Sequence, residues 1–238
     1  RNGEPPGDDR RRARAAQRNG EPLAPHRAHL LVPRDRLAEL EAEMRDDASL
    51  PLIPANLVFG EGDPDAAVLF IGEAPGERED ELGRPFVGRA GQLLNKLIES
   101  IGWKREGVYI TNIVKRRPPM NRDPSPEEIE AYRPYLARQI EILRPALIAP
   151  LGRFSMNYFL PEAKITRDQG KLFRAGDRLI FPLLHPAAAL RGTGAMQSLV
   201  AAFERLPKAV EKCRSLDIHS VPDANPASTA RQTQKPLF

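Results

Sequence analysis

Cysteine is almost absent: Cys213 is the single one among 238 residues. That excludes an internal disulfide and any site built from several thiolates, and it fits a reducing compartment. Long apolar runs are missing as well. No stretch approaches the ~18 residues that a membrane-spanning helix needs, so no membrane partner is expected. Residues 1–18 are charged and hold no apolar core, so no secretory leader is expected. Several catalytic signatures are also missing. There is no G-x-x-x-x-G-K-[ST] for a P-loop and no G-x-S-x-G for a serine nucleophile. Gly72-Glu73-Ala74-Pro75-Gly76 lacks the dinucleotide-binding spacing, and Pro75 removes an N–H that a phosphate cradle would use. His26 and His29 are spaced like a metal pair but have no further ligands nearby, so they read as solvated histidines and no metal site is expected.

What is present defines an organised centre between two polar ends. Hydrophobic residues make up 41%, enough for a core, which excludes a wholly disordered chain. Lys and Arg outnumber Asp and Glu by 36 to 32, and the resulting pI near 9.4 favours polyanionic partners. Residues 1–35 form a basic arm rich in Arg, Pro and Gly, in which Arg-Asn-Gly-Glu-Pro occurs twice. Residues 36–213 form the folded domain, and 214–238 a polar tail.

Within the domain, short apolar strands alternate with amphipathic helices. Strands are expected at 66–71, 108–114, 146–151 and 178–184. Helices are expected at 34–45, 90–100, 125–143, 153–160 and 196–213. Ser125-Pro126-Glu127-Glu128 caps the third of these, and Pro134 predicts a kink or break inside it. The alternation predicts an α/β fold: a three-layer α/β/α sandwich around a central, mainly parallel sheet. Ligands of such sheets bind beyond the carboxyl ends of the strands. Three of these ends carry polar residues: Glu73, Asn112 and His185.

Three blocks around those residues form an ordered set. GEAPGEREDELGRPFVGRAG at 72–91, YITNIVKRRPPMNRD at 109–123 and HPAAALR at 185–191 resemble the motifs of family 4 uracil-DNA glycosylases. The resemblance covers roughly residues 56–212. It implies a uracil-DNA glycosylase-like fold and hydrolysis of the N-glycosidic bond of deoxyuridine in DNA during base excision repair. Uracil-containing DNA is the implied partner, and the expected setting is the bacterial cytoplasm, with the chain working as a monomer. A glycosylase swings its target nucleotide out of the stack into a pocket that reads the base edge.

The same resemblance assigns roles. Gly72, Ala74 and Phe86 would line the base, with the Phe86 ring stacked on it. Asn112 would accept from uracil N3–H and donate to O4, the opposite of what cytosine offers. Glu73 would position or activate the attacking water, Glu79 would crowd the C5 position against thymine, and His185 would donate to O2. Lys115 and Arg117 would form a basic rim, Leu190 a wedge in the duplex, and Arg191 a phosphate or minor-groove contact. Taken singly, each has a plainer reading: a core Phe, a strand-ending Asn, a capping or solvated Glu, a structural His.

Two features depart from the resemblance or add to it. Family 4 members hold a [4Fe–4S] cluster on four cysteines: an upstream CxxC pair, one after the lysine of the second motif and one in the next helix. Here those places carry Arg116, Tyr132 and a cysteine-free 45–53 segment. No cluster or other cofactor is therefore expected. Tyr132, Leu50 and Leu52 would fill its space, with Arg116 turned to solvent or DNA. A related branch that binds uracil-DNA covalently uses a His in a KRRIH-like segment, whereas Lys115-Arg116-Arg117-Pro118-Pro119 has none. The chain ends Gln234-Lys235-Pro236-Leu237-Phe238, similar to the Q-x-x-L-F peptides that dock on bacterial sliding clamps, so Gln234, Leu237 and Phe238 are candidate clamp contacts. Two other readings remain open at this point: a non-catalytic module binding uracil or abasic DNA, and a scaffold tethered to the clamp.

Overall fold

The structure is a computed structural model and describes residues 32–215. Residues 1–31 of the proposed arm and the clamp-binding end, Gln234, Leu237 and Phe238, lie outside the described residues, whereas 33–35 belong to the first helix and not to an arm. In chain order the regular elements are α1 (Pro33–Asp46), β1 (Glu61–Gly62), β2 (Val68–Gly72), α2 (Glu77–Leu82) and α3 (Arg89–Ser100). They continue with β3 (Tyr109–Asn112), α4 (Pro126–Leu143), β4 (Leu147–Pro150), α5 (Arg153–Phe159) and α6 (Ile165–Asp168). The last are β5 (Phe173–Ala175), β6 (Arg178–Ile180), α7 (Pro186–Ala189) and α8 (Thr193–Ser215).

Six strands form one sheet in the order β1-β3-β2-β4-β6-β5. The inner pairings β3/β2, β2/β4 and β4/β6 are parallel, and the two edge strands run antiparallel. Successive strand residues face opposite sides, and both sides are apolar. Val68, Phe70, Ile110, Leu147 and Ala149 join a core with Leu94, Ile98 and Phe203 of α3 and α8. Leu69, Ile71, Tyr109 and Ile148 join the opposite core with Leu40, Met44, Tyr132 and Leu136 of α1 and α4. These are the three expected layers.

The α4 cap forms as the sequence indicates. Ser125 Oγ accepts from Glu128 N–H at 3.2 Å, and the Glu128 carboxylate accepts from Ser125 N–H at 2.8 Å. Pro134, however, does not end the helix, which runs to Leu143. Tyr132, Tyr135 and Leu136 are buried around it, so packing on both sides outweighs the one missing N–H. The last strand is shorter than 178–184: it stops at Ile180, ahead of Pro182, which has no N–H for a ladder.

Candidate active site

Parallel strands β2 and β3 pair Gly72 with Asn112, and the site is built on that pair. Gly72 has no side chain, and this is required. A Cβ there would run into Asn112 Oδ1 and come within 2.6 Å of the Phe86 ring. Asn112 is buried at the end of β3, yet its Oδ1 has no hydrogen-bond partner. A buried acceptor left unpaired costs about 1–3 kcal/mol, so a donor reaching this oxygen would be bound favourably.

Phe86 forms one wall of that place. It has φ 52°, a left-handed conformation costly for an aromatic residue, and its loop is clamped from both sides. Glu79 Oε1 accepts from Val87 N–H at 2.8 Å and from Gly88 N–H at 2.7 Å. Arg105 donates to Pro85 O at 2.6 Å and to Phe86 O at 3.2 Å. It is held in turn by Glu61 of β1 and by Asn95 of α3. Burial alone would push the Glu61 carboxyl up, but Arg84 and Arg105 outweigh it and keep its pKa below the ordinary value.

His185 closes the other side, its ring centroid 5.7 Å from that of Phe86. It caps α7, with Nδ1 accepting from Ala187 N–H at 3.2 Å. That bond places the ring proton on Nε2, leaving an N–H available to a ligand. Burial, reinforced by the nearby Arg191 cation, lowers the His185 pKa to about 4, so the ring is neutral near pH 7.

Glu73 follows Gly72 directly. Burial, with the Asp123 carboxylate adding to it and Arg153 opposing, raises its pKa to about 7. A carboxyl poised near neutral pH suits proton transfer. The arrangement thus offers a flat wall, an unpaired amide edge, a neutral imidazole donor and a carboxyl of tuned acidity.

Most candidates from the sequence meet here: Gly72, Glu73, Phe86, Asn112 and His185. Glu79 stands beside them, with its Oε1 holding the Phe86 loop. The Ala74 side chain packs into the core on the α1/α4 face. Lys115 is a correction. Instead of standing on a basic rim it is wholly buried, its ammonium donating to Thr111 Oγ1 and Gln139 Oε1 beside the Phe59 ring. Burial drives its pKa well below the ordinary value, and a side chain enclosed in this way cannot reach a phosphate. Arg117 is half-buried, with Nε donating to Asn121 Oδ1 and its guanidinium 3.7 Å from Glu77, while Leu190 and Arg191 are exposed after α7.

Arg116 is the second correction. It turns inward, donating to Ala55 O at 3.2 Å and lying 3.5 Å from the Tyr132 hydroxyl. Tyr132 is buried and donates to Pro51 O at 2.8 Å. A guanidinium and a phenol therefore tie the 51–55 segment to α4. Sequence reasoning passed over Arg105, Glu61 and Arg153, which carry no local motif and read as ordinary surface charge, and gave no role to Asp123 at the end of the second block. Among the described residues no group of three or more His, Cys, Asp and Glu could hold a metal ion. A cleft of about 600 Å³ beside Trp103 and Val210 opens by Val68 and Val108, at the amino-terminal end of the strands and away from these groups.

Fold and site together define an α/β protein whose strand ends are built to hold and read a planar, polar-edged ring. A family model, the uracil DNA glycosylase superfamily, matches residues 59–207. The chain belongs to that superfamily. It is 46% identical to the type-4 uracil-DNA glycosylase of Sulfurisphaera tokodaii over 161 residues, 63% of this chain and 73% of that protein. It is 43% identical to the type-4 enzyme of Thermotoga maritima over 164 residues, 66% and 85% of the two chains. The type-4 enzyme of Archaeoglobus fulgidus is 47% identical over 144 residues, 57% of this chain and 72% of that one.

Proposed function

We propose that the chain is a uracil-DNA glycosylase that releases uracil from deoxyuridine in DNA, and that Glu73, Phe86, Asn112 and His185 carry the reaction. The observation that bears most weight is the unpartnered, buried Asn112 Oδ1 above Gly72 and beside the Phe86 ring. A uracil stacked on Phe86 offers N3–H to that oxygen and O4 to the amide NH₂, and cytosine offers neither.

The chemistry follows from the surrounding groups. As the C1′–N1 bond opens, its electron pair passes to the base and negative charge collects on O2, where the His185 Nε2–H donates. A neutral donor serves here, because the ring stays uncharged above about pH 4. Ionised Glu73 stabilises the cationic sugar and orients a water, whose oxygen bonds to C1′ while its proton passes to the carboxylate. The uracil anion takes a proton from water as it leaves and Glu73 returns its own to water, so the products are free uracil and an abasic site. Arg117, Leu190 and Arg191, joined by Arg153, face the DNA in this reading.

We infer further that the reaction runs without an iron–sulfur cluster. The residues at the implied ligand positions do not fit one: Arg116 and Tyr132 are engaged with backbone carbonyls, and the single Cys213 lies in the opposite core. No step of the mechanism passes through such a group. A bacterial cytoplasm, action as a monomer and docking of Gln234, Leu237 and Phe238 on a sliding clamp belong to the same reading. Deleting the last five residues is expected to lower clamp affinity.

The test is multiple-turnover uracil release from a labelled U·G duplex. The parent chain is expected to turn over. Glu73→Ala and Asn112→Ala are each expected to fall by about 10²–10³. Stoichiometric retention on uracil-DNA without release would contradict the proposal.

A further inference from the structure

The carboxyl end of the sheet carries a second apolar projection. Residues 117–122, Arg-Pro-Pro-Met-Asn-Arg, follow β3 soon after Asn112. Within them Met120 is 92% exposed, the most exposed large hydrophobic side chain among the described residues. Its φ is 54° and ψ 24°, and Asn121 follows at φ 54°. Left-handed backbone costs a non-glycine residue about 1–2 kcal/mol, and a thioether held in water recovers none of it within the chain.

The loop is fastened. Asn121 N–H donates to Pro118 O at 3.1 Å and Arg122 N–H to Pro119 O at 3.2 Å. Arg117 Nε reaches Asn121 Oδ1 at 2.7 Å, and the Arg122 guanidinium grips both Glu128 oxygens at 2.8 and 2.6 Å, anchoring the loop to the α4 cap. Asp123 bonds Arg153 of α5 at 2.9 Å. One bare apolar side chain is thus presented on a fixed support among three arginines.

Its position decides what it meets. The sheet order sets β3 on one side of β2 and β6 on the other, beyond β4. Leu190 follows β6 and Met120 follows β3, so the Glu73 strand lies between the two elements that carry them. We propose that Met120 is a second wedge, inserted between DNA bases from the flank opposite Leu190. Proteins that unstack a duplex use Met and Leu for this purpose, and the polarisable thioether suits a base face. Arg117, Arg122 and Arg153 supply the phosphate contacts that flank such an insertion. The inference rests on the glycosylase reading and adds a partner surface to it.

The test compares single-turnover uracil release from a U·A duplex, a U·G duplex and single-stranded DNA. Glycine accepts the left-handed backbone freely, so Met120→Gly removes the side chain while relaxing the loop, and a loss of rate cannot be assigned to misfolding. Met120→Gly is expected to slow the U·A duplex about tenfold, corresponding to part of the unstacking cost. The loss should be smaller for U·G and smallest for single strands, and Met120→Leu should restore most of the duplex rate. Unchanged duplex rates in Met120→Gly, the result expected if Met120 serves a protein partner, would overturn the inference, and so would an equal loss on single strands. A parent chain that releases uracil from none of the three would instead sink the glycosylase reading itself.

Discussion

At the scale of single residues, burial tunes two groups at the strand ends in opposite directions. Glu73 is raised to about 7 and His185 lowered to about 4, so around neutrality the first titrates and the second does not. Uracil release is therefore expected to rise with pH through about 7, as Glu73 ionises, without a histidine limb above pH 5. Stability should move the other way. The folded-state pKa lies above the ordinary 4.5, so the stability this group contributes in acid is lost as pH rises from about 4.5 to 7. Glu73→Gln is expected to abolish the pH dependence of release while raising the melting temperature at pH 8. Rate profiles and thermal melts of the two proteins check both signs. A parent profile that stays flat from pH 6 to 8 would remove Glu73 from the chemistry.

At the scale of elements, the Phe86 loop shows what the sequence could and could not say. Glu73, Asn112 and His185 were legible because each closes or follows an apolar run, and strand ends are where α/β sheets bind ligands. The clamp on Phe86 was not. Arg105 is 44 residues from Glu61 and belongs to no pattern, and only the antiparallel addition of two-residue β1 brings them together. Lys115 and Arg116 misled for the related reason that a basic run reads as a solvated face, whereas here its first two members turn into the protein. Of the kink or break expected at Pro134, the break does not occur, because local propensity yields to packing. The clamp makes its own prediction: Arg105→Ala leaves Glu61 with Arg84 alone, takes the donor from two loop carbonyls and Asn95 Oδ1, and is expected to cost on the order of 2 kcal/mol of stability. Since the loop carries the stacking wall, the variant should also raise KM more than Arg84→Ala does, although Arg84 also bonds Glu61. Equal KM values in the two variants would contradict the role given to the loop.

At the scale of the whole molecule, two apolar cores hold a six-stranded sheet between them, and polar and basic side chains gather beyond the carboxyl ends of its parallel strands. The layers were readable from periodicity alone, because strands buried on both faces and helices apolar on one face leave few other architectures. The packing of the 51–55 segment was not readable, since it depends on the meeting of Arg116 and Tyr132 across 16 residues of chain. Arg117, Arg153 and Arg191 around the site imply DNA affinity that falls as salt rises, with log Kd linear in log salt. Fluorescence titration of a uracil-containing duplex at increasing salt is expected to show a slope that becomes shallower by about one in Arg191→Ala.

In the proposed reaction, Asn112 Oδ1 accepts from the N3–H of uracil. Calorimetric titration of the protein with free uracil and with 3-methyluracil tests it most directly, because the methyl group removes that one donor and leaves the ring and O4 in place. Uracil is expected to bind, while 3-methyluracil and uracil added to Asn112→Ala should bind at least about tenfold more weakly, as a lost buried hydrogen bond requires. Equal affinity for the two bases in the parent chain would contradict the account.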